Sequence, residues 1–297
     1  MAQPADRPPL GRSAGLSNLQ KRTLSAAVLL PVVIAAIMLG PPWFNILIAM
    51  FAAAMAWEWT SVVATVRSPC QIKPVPAPSA PGWRILTAVS AVTAVLAVWR
   101  APVGDWSSGN AWMVILAGLV VLAIVSLVSD RQRAAWYIAG IPYVTVPPVV
   151  LILLRDSPAG LATIVWIVAL VVAADTGGYL VGRNVGGPKL APRISPNKTW
   201  SGLGGAVAGA ALIGLLTAFV LNHTNVWMLT LLSAALGLVE QAGDLVESAF
   251  KRHFGVKDTS QIIPGHGGVL DRVDGLLAVA VAVVVANEWA GGSVLAW

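Results

Sequence analysis

Carboxylates in this chain sit where lipid would be expected. Asp175 lies in one long apolar run, Glu240, Asp244 and Glu247 lie in a second, and Asp271 and Asp274 open a third. Among residues 1–170, only Glu58 is an acid well inside such a run. A charge at the bilayer centre costs about 2.5–3.5 kcal/mol on insertion scales, so acids retained there need a partner cation or a wet cavity. On a helix, Glu240, Asp244, Glu247 and Lys251 fall on one face. Asp271 and Asp274 are i, i+3 neighbours on one face of the next helix. Two such stripes on sequence-adjacent antiparallel helices can face each other, and facing carboxylates repel unless a cation lies between them. Hard oxygen ligands suit Mg²⁺, which takes one or two carboxylates and completes its shell with water and substrate phosphates. Pairing with Lys251, Arg252 or Arg272 is the competing explanation.

Groups suited to phosphate adjoin these acids. The segment 182–198 is rich in Gly and Pro and carries Arg183, Lys189, Arg193 and Lys198. Ser195-Pro196-Asn197-Lys198-Thr199 runs directly into an expected helix. Exposed amides at a helix N-terminus favour anions, and Lys198 and Thr199 would add direct contacts. Basic loops are ordinary in membrane proteins, so this one gains meaning only from the acidic stripes beside it. His266 stands between Gly265 and Gly267-Gly268, a sequence that allows tight backbone near a phosphate. A purely structural turn histidine is the alternative.

The elements that position these residues are membrane spans. Of 297 residues, 57% are hydrophobic and 11% charged, against about 25% charged in soluble domains. A spanning helix needs about 20 mostly apolar residues. Nine stretches qualify, at 23–40, 43–63, 85–99, 111–128, 136–154, 160–182, 202–221, 227–250 and 270–289; the third is short, and Pro142, Pro147 and Pro148 break the fifth. With the N-terminus in the cytoplasm and nine crossings, all of the 19 Lys and Arg except Arg100 and Arg155 fall on the cytoplasmic side. Basic residues are retained there during insertion, so this asymmetry supports both the helix count and the orientation. It also explains the net charge of +6 without nucleic acid as a partner. Gly205 and Gly209 form a GxxxG pair suited to close helix packing. Cys70 is the single cysteine, which excludes a disulfide framework and a Cys-based metal site. The expected fold is therefore an all-α, polytopic membrane bundle. It has a disordered cytoplasmic tail over 1–22, N-terminal transmembrane helices over 23–155 and a C-terminal catalytic region over 156–297.

One segment narrows the chemistry. Residues 248–274 read S-A-F-K-R-H-F-G-V-K-D-T-S-Q-I-I-P-G-H-G-G-V-L-D-R-V-D. This closely resembles the signature of the phosphatidate cytidylyltransferases, the CDP-diacylglycerol synthases. Its fixed positions are filled by Ser248, Lys251, Arg252, Lys257, Asp258, Pro264, His266, Gly267, Gly268, Asp271, Arg272 and Asp274. Upstream, Gly243-Asp244-Leu245 with Glu247-Ser248, Asp175 with Tyr179 and Gly182-Arg183, and Ser195 to Thr199 are similar to further family segments. The resemblance is specific over about 175–275. One departure is Ser201, which follows Trp200 where the family often has an acid; that acid cannot be a required ligand here.

The resemblance implies that phosphatidic acid and CTP react to give CDP-diacylglycerol and pyrophosphate, with the lipid phosphate attacking the α-phosphorus of CTP. It implies Asp244 and Asp271 as principal metal ligands, with Asp274 and Glu247 as further ligands, for Mg²⁺ and a second cation where one binds. Lys251, Arg252, Lys257 and Arg272 would hold the triphosphate or the lipid phosphate, with Lys198, Thr199, Ser195 and Arg183 as further substrate contacts. His266 would donate to the leaving pyrophosphate. It further implies a bacterial-type plasma membrane, an active site facing the cytoplasm, and a homodimer. A CTP-dependent lipid-alcohol kinase is the nearest alternative, because it shares membrane, nucleotide and metal. A transporter is the more distant one, since it has no need of Gly-His-Gly-Gly beside a basic loop.

Overall fold

The computed structural model describes residues 18–65, 82–100, 110–222 and 224–296. These residues form nine α-helices: α1 Asn18–Leu39, α2 Trp43–Val63, α3 Trp83–Trp99, α4 Asn110–Ser129, α5 Ala134–Asp156, α6 Gly160–Val185, α7 Trp200–Val220, α8 Val226–His253 and α9 Leu270–Ala290. Each expected span becomes one helix, because in lipid a chain must satisfy its backbone N–H and C=O groups internally. Eight of the helices are long and apolar enough to cross a membrane, and α3 is a shorter apolar helix. The first helix begins at Asn18, ahead of the start expected at residue 23. Cys70, Arg7, Arg12, Arg67 and Lys73 lie outside the described residues, as does His223.

The prolines do not break the fifth span. Pro142, Pro147 and Pro148 all lie within the continuous helix α5. Of the eight long spans α5 is the most enclosed and α1 the least. Pro147 and Pro148 are buried, so neighbouring helices rather than lipid surround them, a setting in which membrane helices tolerate proline; Pro142 is exposed, nearer the start of the helix.

Helix ends meet as alternating crossings require. At the start of α1, Arg22 Nε donates to Gly265 O, just ahead of α9, at 2.8 Å. At the opposite end, Arg155 of α5 donates to Ile37 O of α1 at 3.0 Å. The starts of the first and ninth helices thus share one side of the bundle. Arg155, one of the two basic residues assigned to the far side, lies at the other.

Small residues set the packing around the site. A Cβ added at Gly205 would lie 2.4 Å from Gly177 O, and one at Gly209 would lie 2.4 Å from Ala173 O. The GxxxG pair therefore lets α7 lie directly on α6. Between these helices the chain forms a short antiparallel hairpin, β1 Lys189–Ala191 and β2 Ser195–Thr199. Gly186 and Gly187, with φ of +66° and +105°, turn the chain out of α6 towards it. Thr199 ends the hairpin by capping α7, its Oγ1 accepting from Gly202 N at 3.0 Å. Trp59 of α2 stacks on Phe250 of α8 with ring centroids 4.0 Å apart. The N-terminal helices thus buttress the helix that carries most of the acids.

Candidate active site

The crossing of α8 and α9 builds the site. Gly243 is where they touch: a Cβ there would lie 2.8 Å from Ala278 Cβ and 3.0 Å from Asp274 O. With no side chain at that point, Asp244 and Glu247 of α8 come up against Asp274 of α9. One carboxylate oxygen from each of these three lies within 4.8 Å of the others. Glu247 is buried, and its Oε1 accepts no hydrogen bond among the described residues. An orphaned carboxylate oxygen beside two further carboxylates is a donor set that fits a hard divalent cation. The residues present therefore fit Mg²⁺.

Two lysines enter this acidic cluster from different segments. Lys198 of β2 lies 2.6 Å from Asp244 Oδ2 and donates to Gln241 Oε1 at 2.8 Å. Gln241 Nε2 in turn donates to Glu240 Oε2 at 2.8 Å. Lys251 of α8 is paired with Glu247, one helical turn before it, and with Asp271 Oδ1 at 2.7 Å. Cation and carboxylate alternate along the crossing, which is how buried charges become tolerable in a medium of low polarity. Ser248 adds a hydrogen bond to Asp244 Oδ1 at 3.1 Å.

Asp271 is not one of these three carboxylates, but it adjoins Glu247 and shares Lys251 with it. Besides Lys251, it accepts from Gly268 N at 2.9 Å, Thr259 N at 3.0 Å and Thr259 Oγ1 at 3.2 Å. Its carboxylate ties the loop between α8 and α9 to the start of α9.

The remaining residues anticipated from sequence spread around this centre. Arg252 donates to Val256 O at 2.9 Å and Ile194 O at 3.3 Å, joining the end of α8 to the hairpin turn. Arg272 donates to His266 O at 2.9 Å. His266 Nδ1 lies 2.8 Å from Ser25 Oγ of α1. Arg183 is exposed and donates to Tyr179 OH at 2.5 Å. Lys257 is exposed and Ser195 half-buried at the start of β2, while Thr199 is buried in its capping role. The structure therefore gathers Lys198, Asp244, Glu247, Lys251, Asp271 and Asp274, and holds Arg183 and Lys257 outside that cluster. Gln241 and Thr259 were not anticipated. Gln241 is off the acidic stripe, and nothing in the spacing marks an amide next to Glu240. Thr259 follows Asp258 of the signature without being one of its fixed positions.

A helical membrane bundle whose three clustered carboxylates could hold a divalent cation, with lysines interleaved among them, has the donors that phosphate chemistry at a membrane surface requires. The cytidylyltransferase family pattern matches residues 20–289. A phosphatidate cytidylyltransferase of Brucella suis is 39% identical over 266 residues, covering 89% of this chain and 92% of the relative. One from Pseudomonas aeruginosa is 32% identical over 291 residues, covering 92% and 98%. One from Staphylococcus epidermidis is 37% identical over 200 residues, covering 64% and 75%. The chain belongs to the phosphatidate cytidylyltransferase family and is a nucleotidyltransferase.

Proposed function

We infer that the α8–α9 crossing is the centre at which the chain performs its family's reaction, phosphatidate cytidylyl transfer giving CDP-diacylglycerol. In that reaction a phosphate oxygen of phosphatidic acid attacks the α-phosphorus of CTP. A new P–O bond forms as the bond to pyrophosphate breaks. A phosphate monoester is already largely ionised near neutral pH, so the nucleophile needs no strong base, and the task is positioning and charge stabilisation. Lys198 and Lys251 are placed to exchange a carboxylate partner for a substrate phosphate oxygen. Arg272 extends the positive rim on the loop side, with His266 beside it. Asp244, Glu247 and Asp274 would hold the cation, with Asp271 beside them. A bound Mg²⁺ would screen the attacking and leaving oxygens from one another.

The observation that carries this reading is the meeting of Lys198, from the hairpin, with Asp244 of the carboxylate cluster. An apolar cleft lined by Ile37, Ile48, Met55, Val273 and Leu277 supports a lipid as one reactant, because it runs beside the turn of α9 that bears Asp274. The retention of basic residues on one side supports a cytoplasmic active site, and the bacterial relatives support the plasma membrane. The homodimer implied by the family resemblance belongs to the same reading; cross-linking in native membranes tests it, and a purely monomeric product would remove it.

Purified protein with phosphatidic acid, Mg²⁺ and CTP labelled at either the α- or the γ-phosphate tests the reaction. Label from the α-phosphate should enter lipid. Label from the γ-phosphate in lipid would mean a kinase, and no labelled lipid from either would remove the reading.

A further inference from the structure

Glu58 has no part in the reaction described above, yet it is one of the most enclosed charges in the chain, with 0% of its surface exposed. It projects from α2 of the N-terminal half into the loop that joins α8 to α9. Its Oε1 accepts from Ser260 Oγ at 2.5 Å and from Val269 N at 2.8 Å. Its Oε2 accepts from Leu270 N at 2.7 Å and lies 3.3 Å from Thr259 Oγ1. Three donors, with a Thr259 hydroxyl shared with Asp271, leave the carboxylate satisfied without a salt bridge among the described residues.

The geometry answers a need of α9. A helix begins with backbone N–H groups that have no partner within it, and a polar side chain just before its first turn normally supplies one. At α9 that position is Val269, which has no side-chain acceptor. Glu58 provides the acceptor from another helix and brings negative charge to the positive end of α9. Gly268 marks how closely the parts fit. A Cβ there would lie 2.1 Å from Thr259 Oγ1 and 2.6 Å from Glu58 Oε1. Thr259 then links Glu58 to Asp271, since its hydroxyl lies within hydrogen-bonding distance of both carboxylates.

We propose that Glu58 is a positioning residue for cytidylyl transfer: from α2 it clamps the loop 259–270 and the first turn of α9, and so fixes Asp271 and Asp274 relative to Lys251 and the acids of α8. The role is separate from binding, because among the described residues Glu58 hydrogen-bonds to none of Lys198, Asp244, Glu247, Lys251 or Asp274. Its loss would loosen Thr259 and Gly268, two of the groups that hold Asp271, and through Asp271 would release Lys251.

The test uses the full-length chain in detergent or lipid, with activity expressed per folded molecule from monodisperse protein. Glu58→Gln places an amide N–H against backbone N–H donors. It should lower kcat about tenfold or more, the usual scale for partners that orient active-site ligands, with KM for CTP changed by no more than about threefold. Thr259→Val, which removes only the bridging hydroxyl, should lower kcat by a smaller factor with the same KM pattern, and it keeps the test decisive if Glu58→Gln does not fold. Activity per folded molecule equal to wild type in either variant would overturn the proposal, as would a loss confined to KM. The inference rests on the cytidylyl-transfer reading; a wild-type chain inactive with CTP and phosphatidic acid would sink that reading, whereas active wild type with equally active variants would sink this one alone.

Discussion

Lys198 Nζ lies 2.6 Å from Asp244 Oδ2, so one ion pair fastens the hairpin between α6 and α7 to the acidic face of α8. The pair is only partly enclosed, with side-chain exposures of 16% for the lysine and 28% for the aspartate. An incoming phosphate can therefore compete for the lysine. Lys198→Ala should raise KM for CTP or for phosphatidic acid roughly tenfold to a hundredfold, the range for a hydrogen bond to a charged group. Steady-state kinetics with each substrate varied in turn would show it. Unchanged constants for both would leave the lysine a packing role.

Asp271 and Asp274 lie one turn apart on α9 but keep different company, so their amide variants should fail differently. Asp274→Asn removes a member of the three-carboxylate cluster and should raise the Mg²⁺ concentration for half-maximal activity about tenfold or more, with partial recovery at high Mg²⁺. Asp271→Asn turns an amide towards Gly268 N–H and Thr259 N–H and weakens the hold on Lys251. It should abolish product formation, without recovery at high Mg²⁺, while folded protein stays in the membrane. Mg²⁺ titrations of the two variants side by side decide the matter. Recovery of Asp271→Asn would make Asp271 a metal ligand, and full activity would remove it from the site.

The helices were legible because lipid leaves a chain so few options. Apolar runs of spanning length must be helical, and the basic residues report which ends lie together. What could not be read came from tertiary context. Pro142, Pro147 and Pro148 suggest a break by local rules, but α5 stays continuous, with Pro147 and Pro148 enclosed within the bundle. Ser195 to Thr199 looked like a loop because its Pro and Asn hide the pairing with Lys189 to Ala191. In the site, the i, i+3, i+7 spacing gave the face shared by Asp244, Glu247 and Lys251. Spacing along one helix says nothing about a partner on a strand, so the Lys198–Gln241 contact stayed hidden. The acceptor role of Glu58 was hidden for the same reason: its donors lie more than 200 residues away along the chain.

Gly243 should tolerate no side chain larger than a methyl, and even that only with difficulty. The nearest atoms to an added Cβ are Ala278 Cβ at 2.8 Å and Asp274 O at 3.0 Å, neither of which is the end of a flexible side chain. Gly243→Val would push α8 away from α9 and draw Asp244 from Asp274. Overpacking of this kind costs about 1–3 kcal/mol. Activity should fall at least about tenfold and thermal stability in detergent should drop with it. Wild-type activity and melting temperature in Gly243→Val would show that the helices do not meet closely at this point.

Ser25 belongs to the least enclosed long span, yet it reaches the Gly-His-Gly-Gly turn. Its Oγ lies 2.8 Å from His266 Nδ1 and donates to Pro264 O at 3.0 Å, while Arg22 Nε donates to Gly265 O. The beginning of α1 therefore grips three consecutive residues of the turn, and the serine orients the imidazole. His266→Ala should lower kcat by about 10²-fold or more if the ring assists departure of pyrophosphate. Ser25→Ala should cost about threefold to tenfold, the worth of one neutral hydrogen bond. If Ser25 acts through His266, the two losses will not add: in the His266→Ala background, Ser25→Ala should cause little further decline. A double-mutant cycle on kcat measures this directly. Fully additive losses would mean that Ser25 supports the fold of the turn independently of the histidine.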